Sequence, residues 1–276
     1  MTAVVVEVDA HEGPVYVPDE DALYFTSVPA PDVAIKRLSL SSGEVSVLCA
    51  DANKANGMAL HPDGRLVVCE QGTRLAPARI SLVDRATGAA ETLVDGWGGL
   101  PLNSPNDVAV KGDGTVWFTD PSYGYLQGFR PPPMLGDVVY RHDLDTGETT
   151  VVAEGFDKPN GLAFSPDERV LYVGDSGEGT HHVEAFDVVG GHALAARRLL
   201  AVIDPGYPDG IKVAPDGLVH VASSGGVQVF APDGALVREL AVPGAVNLAF
   251  ADATRIYVTA DTAVWTATTP DPPKEH

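Results

Sequence analysis

Short apolar runs alternate with turn-forming residues along the whole chain, and they recur as a unit. Each unit opens with a polar residue ahead of an apolar segment: Glu12-Gly-Pro-Val-Tyr, Asn56-Gly-Met-Ala-Leu, Asn106-Asp-Val-Ala-Val, Asn160-Gly-Leu-Ala-Phe, Asp209-Gly-Ile-Lys-Val and Asn247-Leu-Ala-Phe. Successive heads are 44, 50, 54, 49 and 38 residues apart. A turn follows, as in His61-Pro-Asp-Gly, Lys111-Gly-Asp-Gly, Ser165-Pro-Asp-Glu and Ala214-Pro-Asp-Gly, and then a second strand rich in β-branched or aromatic residues, such as Leu23-Tyr-Phe-Thr, Val116-Trp-Phe-Thr or Ile256-Tyr-Val-Thr. Hairpins with Gly turns supply third and fourth strands, for example Ile35 to Val47, Ile80 to Val94, Val138 to Val152 and Val227 to Leu240.

This period is that of a propeller blade built from four strands. The pattern predicts an all-β, six-bladed β-propeller of four-stranded antiparallel blades, a single domain over residues 1–276 with about 46 residues per blade. The last unit has no fourth strand before the chain reaches Pro270-Asp-Pro-Pro, whereas Ala3-Val-Val-Val-Glu-Val stands as a spare strand ahead of the first unit. The ring is therefore expected to close with the N-terminal strand completing the last blade, which removes two exposed sheet edges.

Composition narrows the function classes. The net charge of −20 argues against nucleic-acid or anionic-membrane partners, and no apolar run reaches the ~18 residues of a membrane span. The N-terminus lacks the basic region of a secretory signal, so the expected location is cytoplasmic. Cys49 and Cys69 have no zinc-type spacing and are expected as buried free thiols. A ring-closed propeller has no edge that demands a partner, so a monomer is expected.

The candidate chemistry lies in the heads. The first strand of each blade lines the central channel, so a residue at its start faces the axis from one end. Glu12, Asn106, Asn160 and Asp209 would then bring four oxygen donors together, two anionic and two neutral, a set that suits a hard dication. Asn56 and Asn247 would stand behind the metal or touch substrate. The same Asn-Gly, Asn-Asp and Asp-Gly pairs are also common turn formers, but the following Pro-Asp-Gly groups already supply turns, and Glu12 is not a turn former.

Four motifs in one order, Glu12-Gly-Pro, Pro105-Asn-Asp, Pro159-Asn-Gly and Pro208-Asp-Gly, resemble the senescence marker protein, gluconolactonase and luciferin-regenerating enzyme family of six-bladed propellers across nearly the whole chain. Trp117-Phe-Thr-Asp-Pro-Ser-Tyr-Gly is similar to bacterial gluconolactonases and the related drug-responsive lactonase, more than to animal regucalcins. Regucalcins commonly carry an Arg two residues before the central Asn, where this chain has Ser104. The resemblance implies a metal-dependent hydrolase that opens a small lactone, such as a sugar-acid lactone, to its hydroxy acid. It implies one divalent cation, Ca²⁺ foremost, with Mg²⁺, Mn²⁺, Zn²⁺ or Fe²⁺ as alternatives. Glu12, Asn106, Asn160 and Asp209 would be its ligands. The cation would polarise the carbonyl, and water would be activated either by Asp209 as base or at the metal itself.

Asn56, Ser104, Asn106, Asp107 and Tyr123 complete the expected substrate-binding set. The long segment from Asp120 to Met134 is expected to wall the pocket, with Tyr123, Tyr125 and Phe129 as contacts. The histidines carry no catalytic pattern: His181 and His182 would face opposite sides of a strand, His220 reads as a core residue, and no Gly-x-Ser-x-Gly elbow is present. Two other readings fit the same metal set, a phosphotriesterase-like hydrolase of the diisopropylfluorophosphatase type and a propeller that only binds, its channel metal locking the blades.

Overall fold

The computed structural model describes residues 1–29 and 32–268 and places six four-stranded sheets in succession. Their second strands, Ala22–Thr26, Leu66–Glu70, Val116–Asp120, Val170–Asp175, Val219–Ser223 and Arg255–Thr259, are buried almost throughout. A blade is covered on both faces by its neighbours, and this is why these strands read as continuous apolar runs rather than alternating ones. Fourth strands such as Val45–Cys49 and Leu236–Leu240 lie at the rim and are largely exposed.

The core is divided the same way. Each of six apolar clusters joins two consecutive blades: Tyr24 and Ile35 meet Met58 and Leu66, for example, and Trp117 and Val139 meet Leu162 and Leu171. The sixth cluster joins the last blade to the first, where Val264, Tyr257 and Ala249 pack on Leu23, Phe25 and Leu38.

Closure follows the expected route. Thr2–Ala10 pairs antiparallel with Asp261–Thr268, from Thr2 opposite Ala267 to Ala10 opposite Asp261, and so becomes the outermost strand of the last blade. At the end of that seam the His11 imidazole meets the Asp261 carboxylate at 2.6 Å, and the His11 amide donates to the Thr26 carbonyl at 2.8 Å. The proline-rich stretch from Pro270 lies outside the described residues. A further short hairpin, Gly96–Trp97 with Leu100–Pro101, precedes the third blade and has no counterpart in the repeat pattern. The thiols are free: Cys69 is fully buried, but Cys49 is only half-buried, because it ends an outer strand.

The head of each unit sits where inner strands begin, and the blades approach one another closely there. The Gly57 amide donates to the Asn106 carbonyl at 2.8 Å, Gly161 to Asp209 at 3.1 Å, and Gly210 to Val246 at 2.8 Å. A Cβ on Gly161 would lie 2.1 Å from the Asp209 carbonyl oxygen, and on Gly13 2.5 Å from that of Asn56. Glycine after the head is therefore required at the four blades that carry it, Gly13, Gly57, Gly161 and Gly210. The last blade departs from the repeat as read in sequence: the head is Val246, and Asn247 occupies the place that glycine holds in four other blades and Asp107 in the third. Its shorter 38-residue spacing gave no register for that shift.

Gly161→Ala is expected to lower the melting temperature by about 4–12 °C, since forced overpacking costs ~2–3 kcal/mol and a chain of this size loses ~2–4 °C per kcal/mol. Gly136→Ala, whose Cβ would meet only Val138 at an ordinary 3.5 Å, is expected to leave it unchanged. Thermal unfolding followed by circular dichroism compares the two.

Candidate functional site

Blade geometry puts one end of every inner strand and the following end of every second strand around the same opening, and a cavity of about 570 Å³ occupies it. Glu12, Asn56, Asn106, Asn160 and Asp209 all line it, so five heads converge as the repeat predicts. The backbone carbonyls of Asn56, Asn106, Asn160 and Asp209 are turned toward the preceding blade, whereas that of Glu12 accepts from the Thr26 amide of its own blade at 2.8 Å. Asn106 and Asp209 accept from Gly57 and Gly161, Asn160 accepts from the Thr119 hydroxyl at 2.9 Å, and Asn56 from the Thr26 hydroxyl at 3.3 Å. The side chains are what remain to face the axis.

Burial sets the electrostatics. Glu12 is 2 % exposed, and its carboxyl is held well above the ordinary carboxylate range, first by burial and then by the charges of Asp209 and Asp107. The Asp209 carboxyl is pushed up to about 7 by burial, although hydrogen bonds with Asn160 and Glu12 pull the other way. Among the described residues the side-chain amide oxygens of Asn106 and Asn160 are buried without any hydrogen-bond donor. Two buried carboxylates that resist joint ionisation, beside two acceptors with no donor, form a site short of positive charge. A dication fits it: Glu12, Asn106, Asn160 and Asp209 offer only oxygen, the donor type of hard cations. No group of three or more His, Cys, Asp or Glu occurs among the described residues, since half of this set is amide.

Tyr123 also lines the cavity, and its hydroxyl receives the Asn160 amide at 3.5 Å. Burial raises the phenol, so it stays protonated and able to donate. The 120–134 segment contains a single helical turn, Tyr123–Leu126, and it contributes Tyr123 and Gln127 to the wall. Tyr125 is exposed instead, and Phe129 lies under the Lys54 ammonium at 5.3 Å. Arg130 fixes the segment: 5 % exposed, it donates to the carbonyls of Asn103, Leu102, Thr73 and Ala76.

Ser104 and Asp107 do not reach the cavity. The Ser104 hydroxyl is fully buried, donating to the Pro121 carbonyl at 2.6 Å and accepting from the Gly124 amide at 2.9 Å, so it braces the Tyr123 turn. The Asp107 carboxylate accepts from the Val108 amide at 2.8 Å and meets Lys212 at 3.4 Å, deeper in the channel. Side chains pointing opposite ways from adjacent positions account for Asp107. His220 is buried, bonded to the Leu218 carbonyl at 3.1 Å and set edge-on to Phe250.

The cavity also takes Ser27, Gln71 and Ser176, which sequence reasoning missed. They share one position, the residue after the second strand, following Thr26, Glu70 and Asp175. Aligning the units on their second strands as well as their heads would have revealed them. His11 and Tyr207, each near a head in sequence, complete the polar lining.

Known proteins share this fold and sequence pattern. A gluconolactonase of Zymomonas mobilis is 32 % identical over 243 residues, covering 81 % of this chain and 67 % of its own. A pentonolactonase of Haloferax volcanii is 28 % identical, covering 84 % of this chain and 73 % of its own. The chain thus spans about two thirds of the length of the curated relatives it matches. Among solved structures, a gluconolactonase of Xanthomonas campestris superimposes with a TM-score of 0.88 at 35 % identity, over 98 % of this chain and 89 % of the other. A regucalcin of Agrobacterium tumefaciens, described as a calcium-binding protein, shares the fold with a TM-score of 0.77 at 20 % identity, covering 95 % of this chain and 92 % of its own. The model of the SMP-30/Gluconolactonase/LRE-like region matches residues 10–262, and the chain belongs to that family.

Proposed function

We propose that this protein is a divalent-metal-dependent lactonase that hydrolyses a small sugar-acid lactone to its hydroxy acid. One observation carries the metal part of the reading: two buried carboxyls and two donorless amide oxygens meet on the floor of one cavity. The relatives support the reaction class, because two of those most similar are a gluconolactonase and a pentonolactonase. Glu12, Asn106, Asn160 and Asp209 would hold the cation, which when bound polarises the lactone carbonyl and offsets the negative charge that develops on its oxygen.

The chain's own groups do the rest. The cavity exceeds the size of a single sugar ring and is lined with neutral donors and acceptors, so ring hydroxyls meet Ser27, Asn56, Gln71, Ser176 and Tyr123 rather than bulk water. These contacts hold the carbonyl carbon near Asp209 and lower the entropy cost of water attack. Asp209 would accept the proton of the attacking water as the general base of the set. The same proton passes to the ring oxygen as the C–O bond opens, and the product leaves as a carboxylate that the acidic site does not retain.

Chelation should abolish lactone hydrolysis and re-supplied metal should restore it. Asp209→Asn and Glu12→Gln are each expected to lower kcat/KM by at least ~10²-fold, the scale of losing transition-state charge stabilisation, measured as acid release from a panel of aldonolactones.

Tyr123→Phe should weaken kcat/KM by only ~3–10-fold, the scale of one neutral hydrogen bond, with metal affinity unchanged in a parallel titration. A larger loss at unchanged metal affinity would move Tyr123 from a binding contact into the chemistry.

The raised carboxyls also fix a pH dependence. A carboxyl whose folded value lies above its unfolded one binds more protons in the native state, so its contribution to stability falls as pH rises, here between about 4 and about 7. The metal-free protein should therefore melt at a lower temperature at pH 8 than at pH 5 from this contribution. Because the cation displaces a proton, its affinity should weaken by ~10-fold per pH unit below 7, which calorimetry at several pH values would read.

A further inference from the structure

In the third and sixth blades the glycine after the head is replaced by a side chain, and the two replacements are built alike. Asp107 accepts the Val108 amide at 2.8 Å, and Asn247 accepts the Leu248 amide at 2.7 Å through its own side-chain oxygen. Each lies against the glycine of the preceding blade: a Cβ on Gly57 would fall 2.4 Å from Asp107 Oδ1, and one on Gly210 2.1 Å from Asn247 Cγ. Their outer ends differ. Asp107 reaches Lys212, whereas the Asn247 Nδ2 donates to Glu12 Oε2 at 2.7 Å.

The orientation of the Asn247 amide is fixed by chemistry. Leu248 presents an N–H, which only the oxygen can accept, so the nitrogen is the atom that faces Glu12. Glu12 Oε2 takes a second N–H from Gly13 at 2.8 Å. One oxygen of this carboxylate is thus occupied by two donors, and the other is left toward the axis. Asn247 is fully buried, so its nitrogen has no water to turn to.

We infer that Asn247 is a positioning residue for the metal site: by holding Glu12 Oε2 it fixes the carboxylate so that Oε1 alone faces the cation. This rests on the metal reading above. A neutral donor is required at this point, because a carboxylate here would set two acceptors against each other. It also explains why this position carries an amide, while its counterpart beside Lys212 carries an acid.

The test uses metal-stripped full-length protein titrated calorimetrically with Ca²⁺ and Mn²⁺. Asn247→Asp keeps the shape and the oxygen that accepts from Leu248, loses the donor toward Glu12 and adds a charge there, so Asn247→Ser, which removes the donor without adding charge, is measured beside it. The Asp variant is expected to bind either ion 10- to 100-fold more weakly, roughly the loss seen when a ligand's supporting hydrogen bond is removed, with an unaltered far-ultraviolet circular dichroism spectrum. Asn247→Ser, too short to reach Glu12, should weaken binding comparably and decides the matter if the Asp variant does not fold. Affinity within about threefold of wild type in a folded variant, under ~0.7 kcal/mol, overturns the inference. If Glu12→Gln loses the ion while Asn247→Asp keeps it, only this inference falls. If the wild-type protein binds neither ion, the metal site itself falls and this inference with it.

Discussion

The backbone contact between neighbouring heads governs both the ring and the site. An amide of one blade reaches the head carbonyl of the next at hydrogen-bond distance, across a glycine with no room for a Cβ. This contact commits the head carbonyls to holding blades together, and the geometry of a strand start then turns the head side chains to the axis. A propeller packed more loosely at its centre would spread these side chains apart. The glycines thus set the reach at which two carboxyls and two amides meet in one cavity.

That convergence has a cost. Burying Glu12 and Asp209 together raises both, and Asp107 adds a third negative charge from below, opposed in the channel by Lys212 at 3.4 Å. Apolar clusters between all six blades provide the stability against which such a site is built. Asp120 takes the amides of Asn103 and Ser104 at 2.8 Å each, and Asp175 takes those of Asp157 and Lys158, so second strands of adjacent blades fasten the loops that lead into the heads.

Much of this was legible in the sequence because it repeats. A fold made of similar units exposes its period, and the Gly after four of the heads marks the close approach even before the neighbour is known. The reading failed where the period did not apply. Asn247 looked like a head because it is the polar residue ahead of Leu-Ala-Phe, and only the pairing of Val246 with Gly210 sets the register. Asp107 stands beside Asn106 in sequence, yet adjacent residues on an extended chain face different ways, and Ser104 is turned away from the cavity by its bonds to Pro121 and Gly124. Ser27, Gln71 and Ser176 repeat too, but small polar residues after a strand look like ordinary turn chemistry. Arg130 had no signal at all, since four carbonyls from two separate segments meet it only in the folded chain.

Ring closure and the site are one structural event. The strand that completes the last blade ends at Ala10, and the next two residues are His11, which clasps Asp261 across the seam, and Glu12, which turns into the cavity. Glu12 then receives its supporting amide from Asn247, on the inner strand of the same blade that Thr2–Ala10 completes from outside. The two ends of the chain therefore meet twice, once at the rim through a sheet ladder and once at the axis through a single side chain. A propeller whose seam opened would lose not only a strand but the first carboxylate and its support, so the site exists only in the closed ring.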